Sequence, residues 1–147
     1  MLEQFLSDLR QFLPSDSIYT DELRTLGWGT DASFYRQIPK VVIRSDGEEE
    51  ISKIVKACKK YKLPFTFRAA GTSLSGQSCT DSVLIVAGKH WEKFEIIEEG
   101  EKSKEEGGKS KEEGEYLIKL QPGIVGARVN QILKPYNRVF PPDPASI

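Results

Sequence analysis

This 147-residue chain has no run of about 18 apolar residues, so no transmembrane helix is expected. Its first residues, Met-Leu-Glu-Gln, contain no basic region followed by an apolar core, and no secretory signal is read there. An excess of either charge is also missing. The formal net charge is −1, which leaves no whole-chain field to draw the protein to nucleic acid or to a membrane surface. Histidine and cysteine are scarce. The single His90 follows an apolar run and sits beside Trp91, and we read it as a surface or packing residue rather than a catalytic one. Cys58 and Cys79 do not form a metal-type pair. Their spacing leaves a disulfide open, but a reduced, cytoplasmic protein is the simpler reading.

What is present suffices for about one domain, which at this length can bury roughly 70% of its unfolded surface. Leu2, Phe5, Leu6, Leu9, Phe12 and Leu13 recur at helical spacing, so the sequence predicts an amphipathic helix over 2–13, stopped by Pro14. Thr20 or Asp21 can cap a second short helix ending near Gly27. In the polar-aromatic connection that follows, Tyr35 and Arg36 suit either ligand contact or packing. From Pro39 the pattern becomes β-α-β. Val41–Arg44 reads as a strand, and Ser45 with Glu48 has capping-box spacing. Ile51, Ile54, Val55 and Cys58 mark one face of a helix, and Leu63–Phe67 is the next strand. The connection is long enough for a crossover, so these strands should be parallel.

Between that strand and a third at Val83–Ala87 lies Arg68-Ala-Ala-Gly-Thr-Ser-Leu-Ser-Gly-Gln77. Gly71 and Gly76 permit positive φ or close approach of a ligand. Thr72, Ser73 and Ser75 add hydroxyls, and Arg68 adds a fixed charge. Successive backbone N–H groups in such a loop can form an anion-binding nest. It leaves the C-terminal end of a parallel strand, where ligands of α/β sheets bind. The guest this suggests is a phosphate or pyrophosphate. A bland alternative is a polar loop that only joins two strands.

Phe94–Ile97 and Tyr116–Leu120 read as a hairpin, and Val125, Val129, Ile132 and Leu133 as a helix after a turn at Gln121-Pro-Gly123. Within the hairpin, Lys102-Ser-Lys-Glu-Glu-Gly107 is repeated as Lys109-Ser-Lys-Glu-Glu-Gly114, so 98–115 is expected to be a charged, flexible loop. Gly108-Lys109-Ser110 is not a P-loop, because Ser103 stands where the first glycine is required. The chain closes on a proline-stiffened segment, Val139-Phe-Pro-Pro-Asp-Pro-Ala-Ser-Ile147, and we expect it to be a piece of a longer polypeptide.

In order, Asp31-Ala-Ser-Phe-Tyr-Arg36, Pro39-Lys-Val-Val, the glycine loop, Gln121-Pro-Gly123 and Pro142-Asp-Pro-Ala-Ser146 carry a resemblance. From about Thr20 onward the chain resembles the FAD-linked oxidases of the vanillyl-alcohol oxidase / p-cresol methylhydroxylase superfamily. Within it, the chain looks nearest to the D-lactate dehydrogenase and glycolate oxidase flavin-subunit branch. The glycine-loop and Pro-Asp-Pro-Ala-Ser motifs are specific together and weak singly. The resemblance implies an α+β, PCMH-type FAD-binding domain: a small parallel β-α-β sheet, then the start of a second, mainly antiparallel α+β subdomain. Residues 1–37 would be a helical lead-in and 38–147 the N-terminal portion of the domain. Arg68, Ala69, Ala70, Gly71, Thr72, Ser73, Leu74, Ser75, Gly76, Gln77 and Ser78 would hold the FAD pyrophosphate, chiefly through backbone N–H groups. Pro142, Asp143, Pro144 and Ser146 would form a second FAD-contacting segment. Relatives that attach flavin covalently use a histidine in or beside the loop; residues 68–78 contain none, which implies non-covalent FAD.

The family's next glycine-rich segment, substrate cap and catalytic residues are absent from these residues, so no catalytic or metal-ligating residue is assigned. Iron–sulfur clusters occur in a C-terminal part of large members, and no matching cysteine cluster is present here. The implied reaction of the parent is transfer of a hydride from the α-carbon of a small 2-hydroxy acid, D-lactate or glycolate-like, to FAD. A quinone, a cytochrome or an iron–sulfur centre would take the electrons, in the cytoplasm or peripherally at the inner face of the cell membrane. Because much of the site would be missing, weak retention of FAD by these residues is expected. The loop alone also allows a non-redox phosphate- or nucleotide-binding α/β module.

Overall fold

The computed structural model describes residues 1–88, 90–98 and 116–142. The expectations for the charged repeat, and for Asp143, Pro144 and Ser146, fall outside the described residues.

Helix α1 spans Leu2–Leu9, shorter than the apolar spacing predicts. The chain then tightens: the N–H groups of Gln11 and Phe12 donate to the carbonyls three residues back, at Asp8 and Leu9. Pro14 makes residue 13 resist helical geometry, and a tightened turn relieves that conflict. Leu13 is still buried, so the apolar periodicity marked the core correctly but not the helix end. A short strand, β1 (Ile18–Tyr19), follows. Helix α2 (Glu22–Gly27) is capped by Asp21, whose carboxylate accepts the Arg24 N–H at 3.1 Å.

Three parallel strands carry the first part of the molecule: β2 (Val41–Ser45), β3 (Phe65–Arg68) and β4 (Val83–Ala87). The sheet order is β1-β2-β4-β3, so β4 is central and the two strands of the β-α-β unit flank it. The crossover helix α3 spans Glu48–Tyr61. Its capping differs from the Ser45/Glu48 expectation. Strand β2 runs on through Ser45, Gly47 takes the N-cap, and Glu50 becomes the third helical residue. Glu50 then accepts from the Asp46 N–H at 2.9 Å and the Ser45 hydroxyl at 3.1 Å, doing the work expected of Glu48.

Both faces of β2 and β4 are covered. On one face, Phe5, Leu6 and Leu9 of α1 and Ile54 and Cys58 of α3 pack on Val41, Ile43, Val83 and Ile85. Asp8 fastens the two helices, accepting from the Lys60 ammonium at 2.7 Å and the Tyr61 hydroxyl at 2.8 Å. On the other face, Val42, Leu84 and Val86 meet Tyr19 and Trp28. Strands buried on both sides read as continuous apolar runs, as Val83–Val86 does.

A second, antiparallel element follows. Strands β5 (Phe94–Glu98) and β6 (Tyr116–Leu120) pair in register, and helix α4 (Gly126–Leu133) buries Val129 and Leu133. Trp91 joins the two parts: its indole N–H donates to the Ser45 carbonyl at 2.6 Å, and its own carbonyl accepts the Gly123 N–H at 2.8 Å. His90 is largely exposed, 3.8 Å from Asp46.

Candidate functional site

The parallel strands all end on the same side of the sheet, and each end offers a different surface. After β2, the N-terminus of α3 is closed to anions: Glu48, Glu49 and Glu50 fill its first turn, and Glu50 occupies the N–H of Asp46. After β4, the Gly88 N–H is already given to the Ser45 carbonyl at 2.8 Å. The end of β3 is different.

There the chain enters the glycine loop. Gly71 has φ +74° and Gly76 has φ +73°. A Cβ on Gly71 would lie 2.4 Å from the Arg68 guanidinium, and one on Gly76 would lie 2.9 Å from the Tyr35 ring. Both positions therefore require glycine for backbone shape and for space. Inside the loop, the Ser73 hydroxyl oxygen accepts the N–H groups of Ser75 at 3.3 Å and Gln77 at 3.1 Å. The Cys79 N–H donates to the Gly76 carbonyl. Among the described residues, the backbone N–H groups of Gly71, Thr72, Ser73, Leu74 and Gly76 find no acceptor. A tight turn that folds back on itself while leaving a run of donors unpaired is the geometry of an anion nest.

The flanking residues divide by exposure. Ala69, Ala70, Thr72, Leu74, Ser75 and Gln77 are exposed, whereas Ser78 is buried. Pro142 is exposed and, with Asp143, Pro144 and Ser146 outside the described residues, the structure gathers residues 68–78 alone.

Arg68 is engaged by the segment that precedes β2. Its guanidinium lies over the Trp28 ring, 5.1 Å from the centroid. One nitrogen donates to the carbonyls of Trp28 at 3.3 Å and Thr30 at 2.6 Å. Its Nε is buried without a partner among the described residues. The charge therefore sits beneath the loop, next to Gly71, rather than extending from it. Asp31 also acts in a way sequence reasoning missed. Its carboxylate accepts from the Ser33 hydroxyl, from the Ser33 N–H at 2.9 Å and from the Ser78 hydroxyl at 2.9 Å. These bonds, the Ser33 hydroxyl first, hold the Asp31 carboxyl well below the usual carboxylate range. The Asp-x-Ser spacing was a legible turn signal, but nothing local pointed to Ser78, which lies 47 residues on.

Both cysteines are free and buried. Burial pushes the Cys58 thiol up to about 11, and Cys79 is raised by the same cause. Neither has the electropositive, exposed setting of a reactive thiol. Elsewhere, a hollow of about 340 Å³ is walled by Ile96, Leu117, Leu133 and Phe140, with Arg138 at its side. No glycine-loop residue lines it, and its apolar walls lack the concentrated N–H donors that phosphates require. The loop after β3 is therefore the better candidate for an anionic ligand.

The chain is 28% identical over 145 residues to glycolate oxidase subunit GlcD of Escherichia coli (strain K12), matching 96% of this chain and 26% of that protein. It is 29% identical over 154 residues to the mitochondrial D-lactate dehydrogenase [cytochrome] of Arabidopsis thaliana, matching 97% of this chain and 23% of that one. The chain thus spans about a quarter of the length of these relatives. Its fold is shared with p-cresol methylhydroxylase in its substrate-bound structure, at a TM-score of 0.62 and 12% identity, over 92% of this chain and 25% of that one. The family model described as "FAD binding domain" matches residues 39–147, covering the three parallel strands, the glycine loop and the antiparallel unit alike, and the chain belongs to that family.

Proposed function

We propose that residues 68–78 hold the pyrophosphate of a non-covalently bound FAD. The protein to which this chain belongs then oxidises a small 2-hydroxy acid such as glycolate or D-lactate. The observation that carries the first part is the run of unpaired N–H groups at Gly71, Thr72, Ser73, Leu74 and Gly76, folded around two positive-φ glycines. Five donors with no partner among the described residues match the many acceptor oxygens of a pyrophosphate. The substrate class is supported by the names of the relatives, a glycolate oxidase subunit and a D-lactate dehydrogenase.

Flavin supplies hydride-accepting chemistry when bound; the chain's own residues bind and orient. The loop N–H groups take the phosphate oxygens, and Arg68 adds a positive field from below without reaching outward. Pro142, Asp143, Pro144 and Ser146 are read from their sequence as a second FAD-contacting segment. Residues 38–147 are the N-terminal portion of the FAD domain, and 1–37 are a lead-in whose α1 and β1 complete its sheet and core. The two unpaired thiols support a reducing, cytoplasmic setting.

The test is an amide NMR titration of the 147-residue chain with FAD and, separately, with ADP, at concentrations high enough for weak binding. Saturable shifts confined to 71–76 and their neighbours are expected from both ligands, with FAD the stronger. Equal response to FAD and ADP would favour a nucleotide-binding module without a redox role. Shifts absent from 71–76 at saturating ligand would sink the assignment.

A further inference from the structure

We propose that residues 28–36 act as a strap that holds the glycine loop in its anion-receiving conformation, with Asp31 and Arg68 as positioning residues. This rests on the FAD reading above, but the holding itself can be measured without any ligand.

The strap is fastened to the loop at four points spread along its length. At the loop's start, Arg68 donates to the carbonyls of Trp28 and Thr30. At its first glycine, the Gly71 carbonyl accepts the Ala32 N–H at 3.0 Å. At its second glycine, the Tyr35 ring occupies the space a side chain would need. At its end, the Ser78 hydroxyl donates to Asp31.

The strap is also fixed in its own shape. Asp31 turns it through Ser33, Thr30 bridges Arg36, and the Gln37 N–H donates to the Gly29 carbonyl at 2.9 Å. Among the described residues, the loop by contrast has only the Ser73 hydroxyl and one backbone bond of its own to hold its curve. A run of unpaired N–H groups gains nothing from staying aligned unless something else fixes the backbone beneath them. The strap satisfies the carbonyl of Gly71 and the hydroxyl of Ser78, and it leaves the ligand-facing donors alone. That division of labour is what a preorganised binding loop requires.

Asp31→Ala tests this, with Asp31→Asn as the conservative variant. The asparagine oxygen can still accept from Ser33, and its amide can donate to the Ser78 oxygen. Amide hydrogen exchange is read at Ala32, Gln77 and Cys79, with β2 and β4 amides as a check that the fold is intact. In Asp31→Ala, exchange at those three should rise while β2 and β4 hold. FAD affinity should fall by about tenfold, the scale of lost charge-assisted hydrogen bonds. Asp31→Asn should recover most of both. Should Asp31→Ala fail to fold, Ser78→Ala removes a single fastening and should raise exchange at Cys79 alone. Unchanged exchange in every variant that folds would overturn the strap. Faster exchange with unchanged FAD affinity would overturn its role in positioning the site. If the unmodified chain gives no shifts at 71–76 with FAD or ADP, the FAD reading fails and the exchange data decide the strap by themselves.

Discussion

Strands β4 and β3 run parallel and in register, Phe65 opposite Val83 and Phe67 opposite Ile85, yet their surroundings are opposite. Every residue of Val83–Val86 is buried, whereas Phe65 and Phe67 are 37% and 53% exposed. The cause is sheet order. With β2 on one side and β3 on the other, β4 is central, and α1, α3, Tyr19 and Trp28 cover its faces. Strand β3 has a partner on one side only, and the helices do not extend over its aromatic face. The candidate site grows from the weaker strand. Burial is concentrated in β2 and β4, and the candidate loop leaves the edge strand.

The sharpest way to break this contrast is to damage the centre. Ile43 and Leu84 are fully buried on opposite faces of the sheet. Ile43→Ala or Leu84→Ala should cost about 2–5 kcal/mol, a large share of the roughly 5–15 kcal/mol available to a domain. Urea denaturation followed by tryptophan fluorescence would measure it. A cost below about 1 kcal/mol would mean that the centre is not the store of stability argued here.

Gly71→Val comes next, and it should separate binding from folding. A β-branched residue at φ +74° is strained, by about 1–3 kcal/mol, and its Cβ would strike the Arg68 guanidinium. The chain should stay folded, with the shifts at 72–76 on adding FAD or ADP lost. Retained binding would show that the loop's shape is not what receives the ligand.

The same contrast sets how much could be read beforehand. The β-α-β pattern, the hairpin and α4 were legible because apolar periodicity reflects burial, and burial is strong at Ile43, Ile54 and Val129. The glycine loop was legible because its residue types permit only a few backbone shapes. The centrality of β4 was not, because all three strands carry similar apolar runs and order depends on long-range pairing. The strap was hidden for the same reason: Arg68 reaches Trp28 and Ser78 reaches Asp31 across 40 and 47 residues. A lone arginine beside a glycine loop does not show in sequence which distant carbonyls it will meet.

Acid and alkali should attack the two regions from opposite ends. The Cys58 thiol, in the helix that covers β2 and β4, is raised by burial to about 11. Its contribution to stability is complete below the ordinary thiol value near 8.5 and is lost as pH rises toward 11. Asp31 has the opposite sign. Its lowered carboxyl contributes above the ordinary value near 3.9, and that contribution is lost as pH falls through its folded-state value. Urea midpoints at pH 7, 9 and 10.5 should decline, and Cys58→Ala should flatten the decline. Amide exchange at Gln77 and Cys79, corrected for its intrinsic pH dependence, should loosen only in strong acid, and Asp31→Asn should remove that dependence.

The smallest effect belongs to the edge. Phe67→Thr replaces an exposed aromatic ring with a residue that still favours a strand. Its backbone pairing to β4 runs through main-chain groups and is untouched by the change. The edge-to-face contact with Phe65, at 5.5 Å between ring centroids, is lost. For an exposed pair this should amount to about 0.5–1 kcal/mol at most, several-fold less than Ile43→Ala. Amide shifts on adding FAD should be unchanged, because Phe67 shares a face with Val83 and Ile85, opposite the one on which Arg68 meets Trp28. A loss as large as that at Ile43 would mean that β3 is covered in solution, and the division between a stable centre and a binding edge would fail.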